Sequence, residues 1–188
     1  METTKKTKNL VMYSLLTAIV VVLQYLGSFV RFGPFSISLV LIPIVVGAAV
    51  CGKGAGAWLG AVFGFVVLLM DAAAFMAVSV FGTVLTVMVK GILAGFCAGA
   101  VYKLLNKYNT YLAVIASAIV CPVINTGIFL IGCRLFFMTL INSWATELGF
   151  ASAGEYIVFG LVGANFIFEL LVNVVLSPAV VRLINYRK

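Results

Sequence analysis

FMAVSVFGTVLTVMVKGILAGFCAGAVY, running from Phe75 to Tyr102, holds twenty-eight residues and one formal charge, Lys90. A helix needs about 20 predominantly apolar residues to cross a hydrocarbon core, and this run exceeds that length. A soluble surface helix would carry a charged face, and a single lysine does not make one. The stretch reads as a membrane span. Gly91, Gly95 and Gly99 recur every four residues along it, so they share one side of the helix.

The rest of the chain repeats the pattern. Apolar residues make up 64% of the 188 and charged residues 9%, against about 45–50% and about 25% in soluble domains. Such an inventory cannot cover a water-facing surface, which excludes a soluble enzyme and a disordered scaffold. Nucleic acid is excluded as a partner too, because the basic residues interrupt apolar runs instead of lining an exposed face. Spans are expected at about 10–30, 37–50, 55–70, 75–102, 111–137 and 157–184, making residues 1–188 one integral membrane domain. The fold class is all-α, with six transmembrane helices in the lipid bilayer.

Lys5, Lys6 and Lys8 before the first span resemble the basic start of a signal peptide. The apolar core that follows is too long for one and no A-x-A site comes after it, so an uncleaved first helix is expected. The second and third runs are short. Tilt, a kink at Pro43 or shelter by neighbouring helices would accommodate them.

Orientation follows from the lysines and arginines of the loops. With a cytoplasmic N-terminus the inner segments hold Lys5, Lys6, Lys8, Lys53, Lys103, Lys107, Arg182, Arg187 and Lys188, and the outer ones only Arg31 and Arg134. Both termini are therefore expected in the cytoplasm. The net charge of +7 reflects topology. The outer connection, residues 138–156, is expected to lie at the interface, anchored by Trp144 and Tyr156, or to fold over the bundle as a cap.

Several chemistries are missing from the sequence. There is no histidine, hence no imidazole metal site or proton relay. Cys51, Cys97, Cys121 and Cys133 form no C-x-x-C pair and read as small packing residues. No G-x-x-x-x-G-K-[ST] loop occurs, so ATP-driven work needs a partner. Neither a metal nor a cofactor is expected, and no nucleophile and base constellation of an enzyme is visible.

Small residues mark packing faces. Gly56, Gly60 and Gly64 in the third span match the glycines of the fourth, and both sets allow close backbone approach. Ser14 and Ala18 form another small pair in the first span. Polar residues at membrane depth mark the interior, since each is costly in hydrocarbon. Asn165, Glu169 and Asn173 form a stripe on the last span, beginning about 12 Å below the outer surface at 1.5 Å per residue. Lys90 lies at nearly the depth of Glu169, where a structural ion pair and a direct ligand role both remain open. Asn125 in the fifth span, Gln24 in the first and Arg134 near the outer end of the fifth complete the set. Tyr25, Phe29 and Phe32 are candidate aromatic walls for one outward-facing polar pocket.

Together these stretches resemble a known family. The basic prelude, the small pair in helix one, SISLVLIPIVVGA from Ser36 to Ala48, and GKGAGAWLG from Gly52 to Gly60 look like the substrate-binding S component of an energy-coupling factor (ECF) vitamin transporter. KGILAGFCAGAVYK from Lys90 to Lys103 and NFIFELLVNVVLSPA from Asn165 to Ala179 fit the same group. The resemblance implies a multi-pass protein of the bacterial cell membrane that binds a scarce water-soluble vitamin from outside. It also implies delivery by toppling in the membrane, docked on a transmembrane T component that two ATPase subunits drive. Ser14 and Ala18 match the family's small-x-x-x-small surface for the T component, with Ser in place of the usual Ala. Carried over to this sequence, the ligand candidates are Arg31, Lys90, Asn125, Arg134, Asn165 and Glu169, with Gln24 added from its depth.

The stretch from Ser36 to Ala48 looks most like the pantothenate-type and broader folate/riboflavin-like members, and pantothenate is favoured. Arg134 and Lys90 would receive its carboxylate through charge-assisted hydrogen bonds. An autonomous secondary carrier using Glu169 for proton coupling is the alternative. A subunit of purely structural role would bind no small molecule.

Overall fold

The structure is a computed structural model. It describes the backbone of residues 2–29, 31–32, 35–36 and 39–187, and the side chains of these except 2–6, 8–9, 31–32, 35–36, 162, 164–165, 183 and 185–187. The chain begins with α1 (Glu2–Gly27), followed by a two-residue antiparallel ladder of β1 (Arg31–Phe32) and β2 (Phe35–Ser36), with Arg31 opposite Ser36. Then come α2 (Leu41–Cys51), α3 (Lys53–Met70), α4 (Ala73–Val78), α5 (Val80–Leu105) and α6 (Thr110–Phe136). The last part holds α7 (Met138–Glu147), α8 (Ala153–Glu155), a π-helical stretch (Tyr156–Gly163) and α9 (Ala164–Arg187).

Among the described residues, five helical segments are long and apolar enough to cross a membrane: Leu10–Gly27, Lys53–Met70, Val80–Leu105, Thr110–Phe136 and Ala153–Arg182. The second expected span is instead the eleven-residue apolar helix α2. At 1.5 Å per residue it rises about 16 Å, roughly half of a hydrocarbon core of about 30 Å. Shelter by neighbours is what accommodates it, since it packs on α1, α3, α5, α6 and α9 and most of its residues are buried. Pro43 lies in its first turn, where the missing N–H has no helical partner to lose. Pro43 therefore starts a helix and does not kink one.

The expected fourth run is also divided. Ser79 adopts an extended conformation and its Oγ accepts a hydrogen bond from the Gly82 N–H at 3.1 Å. This is an N-cap, which satisfies one of the amides orphaned at a helix start, so α4 ends and α5 begins there. Asn109 caps α6 in the same way, accepting from Tyr111 and Leu112. Gly52, with φ +94°, makes the tight turn between α2 and α3 that L side chains rarely adopt.

The centre of the fold is the α3–α5 seam. A Cβ on Gly56 would meet the Gly95 carbonyl and one on Gly60 the Gly91 carbonyl, and the reverse substitutions meet the reverse carbonyls. Further out Gly64 faces Val87 O, and at the other end Gly99 faces the Lys53 backbone. Each step of four along α3 is thus matched by a step of four back along α5, the register of an antiparallel pair in backbone contact. The two glycine stripes read in the sequence are one internal interface. Beside it, Ser117 Oγ on α6 donates to the Ala98 carbonyl at 2.9 Å or the Ala113 carbonyl at 2.8 Å, fixing α6 against α5.

Two apolar clusters result. One joins α1, α2, α3, α5, α6 and α9 around Leu41, Ile44, Leu59, Phe63 and Val114. The other gathers Phe75, Cys133, Phe137, Ile141, Ala145, Tyr156 and Leu161 beneath α7. Residues 138–156 are therefore largely helical and folded over the bundle. Tyr156, expected as an interfacial anchor, is 1% exposed within this cap. Trp144 is half-buried, edge-on to Phe75 at 5.5 Å.

Candidate functional site

The α3–α5 seam sets the position of Lys90, the residue before Gly91. Its ammonium lies 5.4 Å from the Phe63 ring centroid and 5.2 Å from that of Phe129. It is thereby held between α3 and α6 by cation–π attraction, which strengthens where water is excluded. Lys90 is surrounded by protein and keeps some accessible surface. Glu169 is the carboxylate acting most strongly on it, and Asp71 also contributes. The expected Lys90–Glu169 pair is seen only as electrostatic proximity, and the ammonium's contacts include the Phe63 and Phe129 rings.

One face of α6 forms the opposite wall. Cys121, Asn125, Phe129 and Cys133 follow at intervals of four and so line up along the helix. Cys121 lies within electrostatic reach of Glu169, Phe129 under Lys90, and Cys133 within reach of both Lys90 and Tyr156. The region along this face, from Glu169 past Asn125 and Lys90 to Tyr156 beneath the cap, is the candidate chamber. Glu169 is buried, and its backbone carbonyl accepts from Asn173 Nδ2 at 2.8 Å.

Three buried polar atoms of this region have no hydrogen-bond partner among the described residues: Gln24 Oε1, Asn125 Oδ1 and Tyr156 Oη. An unsatisfied buried polar group costs about 1–3 kcal/mol, and in a membrane bundle water cannot reach it from the lipid side. Gln24 is fully buried, and its Nε2 donates to Asp71 Oδ2 at 2.9 Å, tying α1 to the outer end of α3.

The other expected site residues fall differently. Arg134 is exposed, because it follows Cys133 by one residue and is therefore turned about 100° off the inward face of α6. Tyr25 and Phe29 are 49% and 69% exposed and pack edge-on against each other at 5.2 Å. The aromatic walls are Phe63 and Phe129, with Phe75 edge-on to Phe129 at 5.7 Å behind them. The side chains of Arg31, Phe32 and Asn165 lie outside the described residues. Sequence reading missed Phe63, Phe129, Asp71 and Tyr156. The four-residue interval from Asn125 to Phe129 was the available signal for one of them.

Ser14 and Ala18 are exposed, on the opposite side of α1 from the buried Leu16 and Val20. With Leu10, Tyr13, Thr17 and Trp58 they line an open groove of about 610 Å³. Trp58 Nε1 donates to Thr17 Oγ1 at 3.2 Å across it. Among the described residues no group of three metal-ligating side chains occurs.

The fold is that of a multi-pass, all-α membrane protein in which charged, amide and aromatic groups, Lys90, Glu169, Asn125, Phe63 and Phe129, gather inside the helix bundle. The sequence matches the family model for the ECF transporter, substrate-specific component, over residues 8–181, so the chain belongs to that family. It is the substrate-specific subunit of an ECF transporter, embedded in the cell membrane. The family consists of transporter subunits, and membership implies association with ECF T and ATPase components and a small-molecule substrate. No curated protein matches the chain significantly.

Proposed function

We propose that this subunit captures a water-soluble vitamin carrying a carboxylate, with pantothenate ahead of folate and of the uncharged riboflavin. Lys90 carries the reading: a cation between Phe63 and Phe129, with the Asn125 amide oxygen one turn from Phe129 on α6 and without a hydrogen-bond partner among the described residues. A carboxylate would meet the ammonium in a charge-assisted hydrogen bond, about twice as strong as a neutral one. Asn125 Oδ1 and the Glu169 carboxylate accept hydrogen bonds, and pantothenate offers an amide N–H and two hydroxyls. Gln24 shapes the wall through Asp71, Arg31 and Asn165 remain proposed contacts, and Arg134, exposed on the outward side of α6, is left out of the proposed site.

The subunit binds from outside, with both termini cytoplasmic, and delivers by toppling in the membrane while docked on the T component, powered by the two ATPases. Ser14 and Ala18 form the docking surface, and the groove beside Trp58 gives a neighbouring helix room to approach.

Binding of pantothenate, folate and riboflavin to the purified subunit, followed by uptake into liposomes with and without the T component and ATPases, tests this. High-affinity binding by the subunit alone with accumulation only in the full complex is expected. Concentrative uptake by the lone subunit would overturn the proposal in favour of a secondary carrier using Glu169.

A further inference from the structure

We propose that Tyr156 is a ligand-contacting specificity residue which, with Lys90, holds the ligand's carboxylate at the cap end of the chamber, so that the donor-bearing end points inward to Asn125 and Glu169. This rests on the proposed capture of a carboxylate-bearing vitamin and adds an orientation and a residue to it.

Tyr156 is 1% exposed and its hydroxyl has no hydrogen-bond partner among the described residues. A tyrosine serving only to fill the cap would need no hydroxyl there, and phenylalanine would avoid the cost of burying one. Its place is set from two sides. The π-helical stretch begins at Tyr156, in a chain region where eight consecutive residues of that rare geometry lead into α9. Gly160, one turn on, leaves room for the ring, since a Cβ there would meet Tyr156 Cε2 at 2.6 Å.

The residue sits where the cap meets the candidate chamber. Tyr156 and Cys133 share a buried cluster against which Phe129 packs, and Phe129 is the ring on which the Lys90 ammonium rests. Cys133 lies near both Lys90 and Tyr156. One phenolic donor and one ammonium therefore flank the same stretch of α6. Acceptors lie at the other end: Asn125 Oδ1, and Glu169, thirteen residues beyond Tyr156 on the same run of helix. A chamber with donors under its cap and acceptors at its depth admits an acid with hydroxyl or amide donors at the far end in one orientation.

The test measures dissociation constants of pantothenate, folate, riboflavin and the primary-alcohol analogue of pantothenate, on wild-type subunit and on Tyr156→Phe, together with the melting temperature of each without ligand. The expected result is a loss of about tenfold for pantothenate in Tyr156→Phe, about 1.4 kcal/mol. The alcohol analogue should change by less than threefold, and the ligand-free protein should melt no lower than wild type. Equal losses for acid and alcohol, or no loss for either, overturn the inference and leave the vitamin reading standing. Binding of riboflavin alone also overturns it, because riboflavin has no carboxylate. If none of the probes binds wild type, the vitamin reading falls with it. Should Tyr156→Phe misfold, the acid-to-alcohol ratio in Cys133→Ser, which adds a hydroxyl beside the same spot, replaces it: an unchanged ratio overturns the proposal.

Discussion

The α3–α5 seam and the inward face of α6 approach Lys90 from opposite sides, and they are built on opposite principles. Along the seam, glycine carbonyls touch glycine Cα atoms and no side chain intervenes. On α6 the facing residues are Asn125, whose oxygen has no hydrogen-bond partner among the described residues, Phe129, over which the Lys90 ammonium lies, and Cys133. A seam in backbone contact cannot adjust without moving two helices, because protein interiors are close-packed. The opposite wall keeps a polar oxygen, Asn125 Oδ1, unsatisfied among the described residues. Rigidity on one side and an unanswered acceptor on the other suit the proposed binding role.

The contrast breaks most readily at the seam. Gly91→Val sets a branched side chain against the Gly60 carbonyl, an overpacking that costs about 1–3 kcal/mol or more, and the same holds for Gly60→Val. Loss of the monodisperse folded peak in size-exclusion chromatography, or a fall of many degrees in melting temperature, is the expected outcome. A normally folded Gly91→Val protein would show that the seam is not in contact.

On the other side the effects fall on the ligand. Lys90→Met should weaken pantothenate about 100-fold in titration calorimetry, about 2.7 kcal/mol. The ligand-free protein should remain as stable as wild type or gain stability, since an apolar side chain replaces a buried charge. A parallel loss of fold and binding would make Lys90 part of the scaffold instead.

Asn125→Leu sharpens the comparison further. Removing an acceptor that lacks a donor should raise the melting temperature of the ligand-free subunit by a few degrees and weaken pantothenate about tenfold. Destabilisation would mean that Asn125 is satisfied within the fold. Arg134→Ala, outside the chamber, is expected to change affinity by less than twofold. A tenfold loss would place the exposed outer end of α6 in the binding site.

Much of this was legible from the chain alone. Run lengths and the scarcity of charge fixed an all-α membrane protein, the glycine intervals marked the seam, and the isolated polar residues Lys90, Asn125 and Glu169 marked the interior. These are properties that a helix converts into geometry by itself, through its pitch and the expense of polarity in lipid. The shortness of α2 was visible too, although its shelter was only one of three options. The break at Ser79 was not seen, since a serine inside an apolar run is also tolerated in an unbroken helix and only its extended backbone makes it a cap.

Which polar groups are answered and which are left waiting was settled by tertiary structure. Arg134 and Cys133 are neighbours in sequence, yet one is exposed and the other buried, because the rotation of α6 about its axis is fixed by contacts with α5 and α9 and not by its own composition. Tyr156 reads as an interfacial anchor until the cap folds over it. Sequence determined the solvent this protein lives in and the helices that suit it. Packing decided which faces turn into the bundle, because orientation within it depends on every neighbour at once.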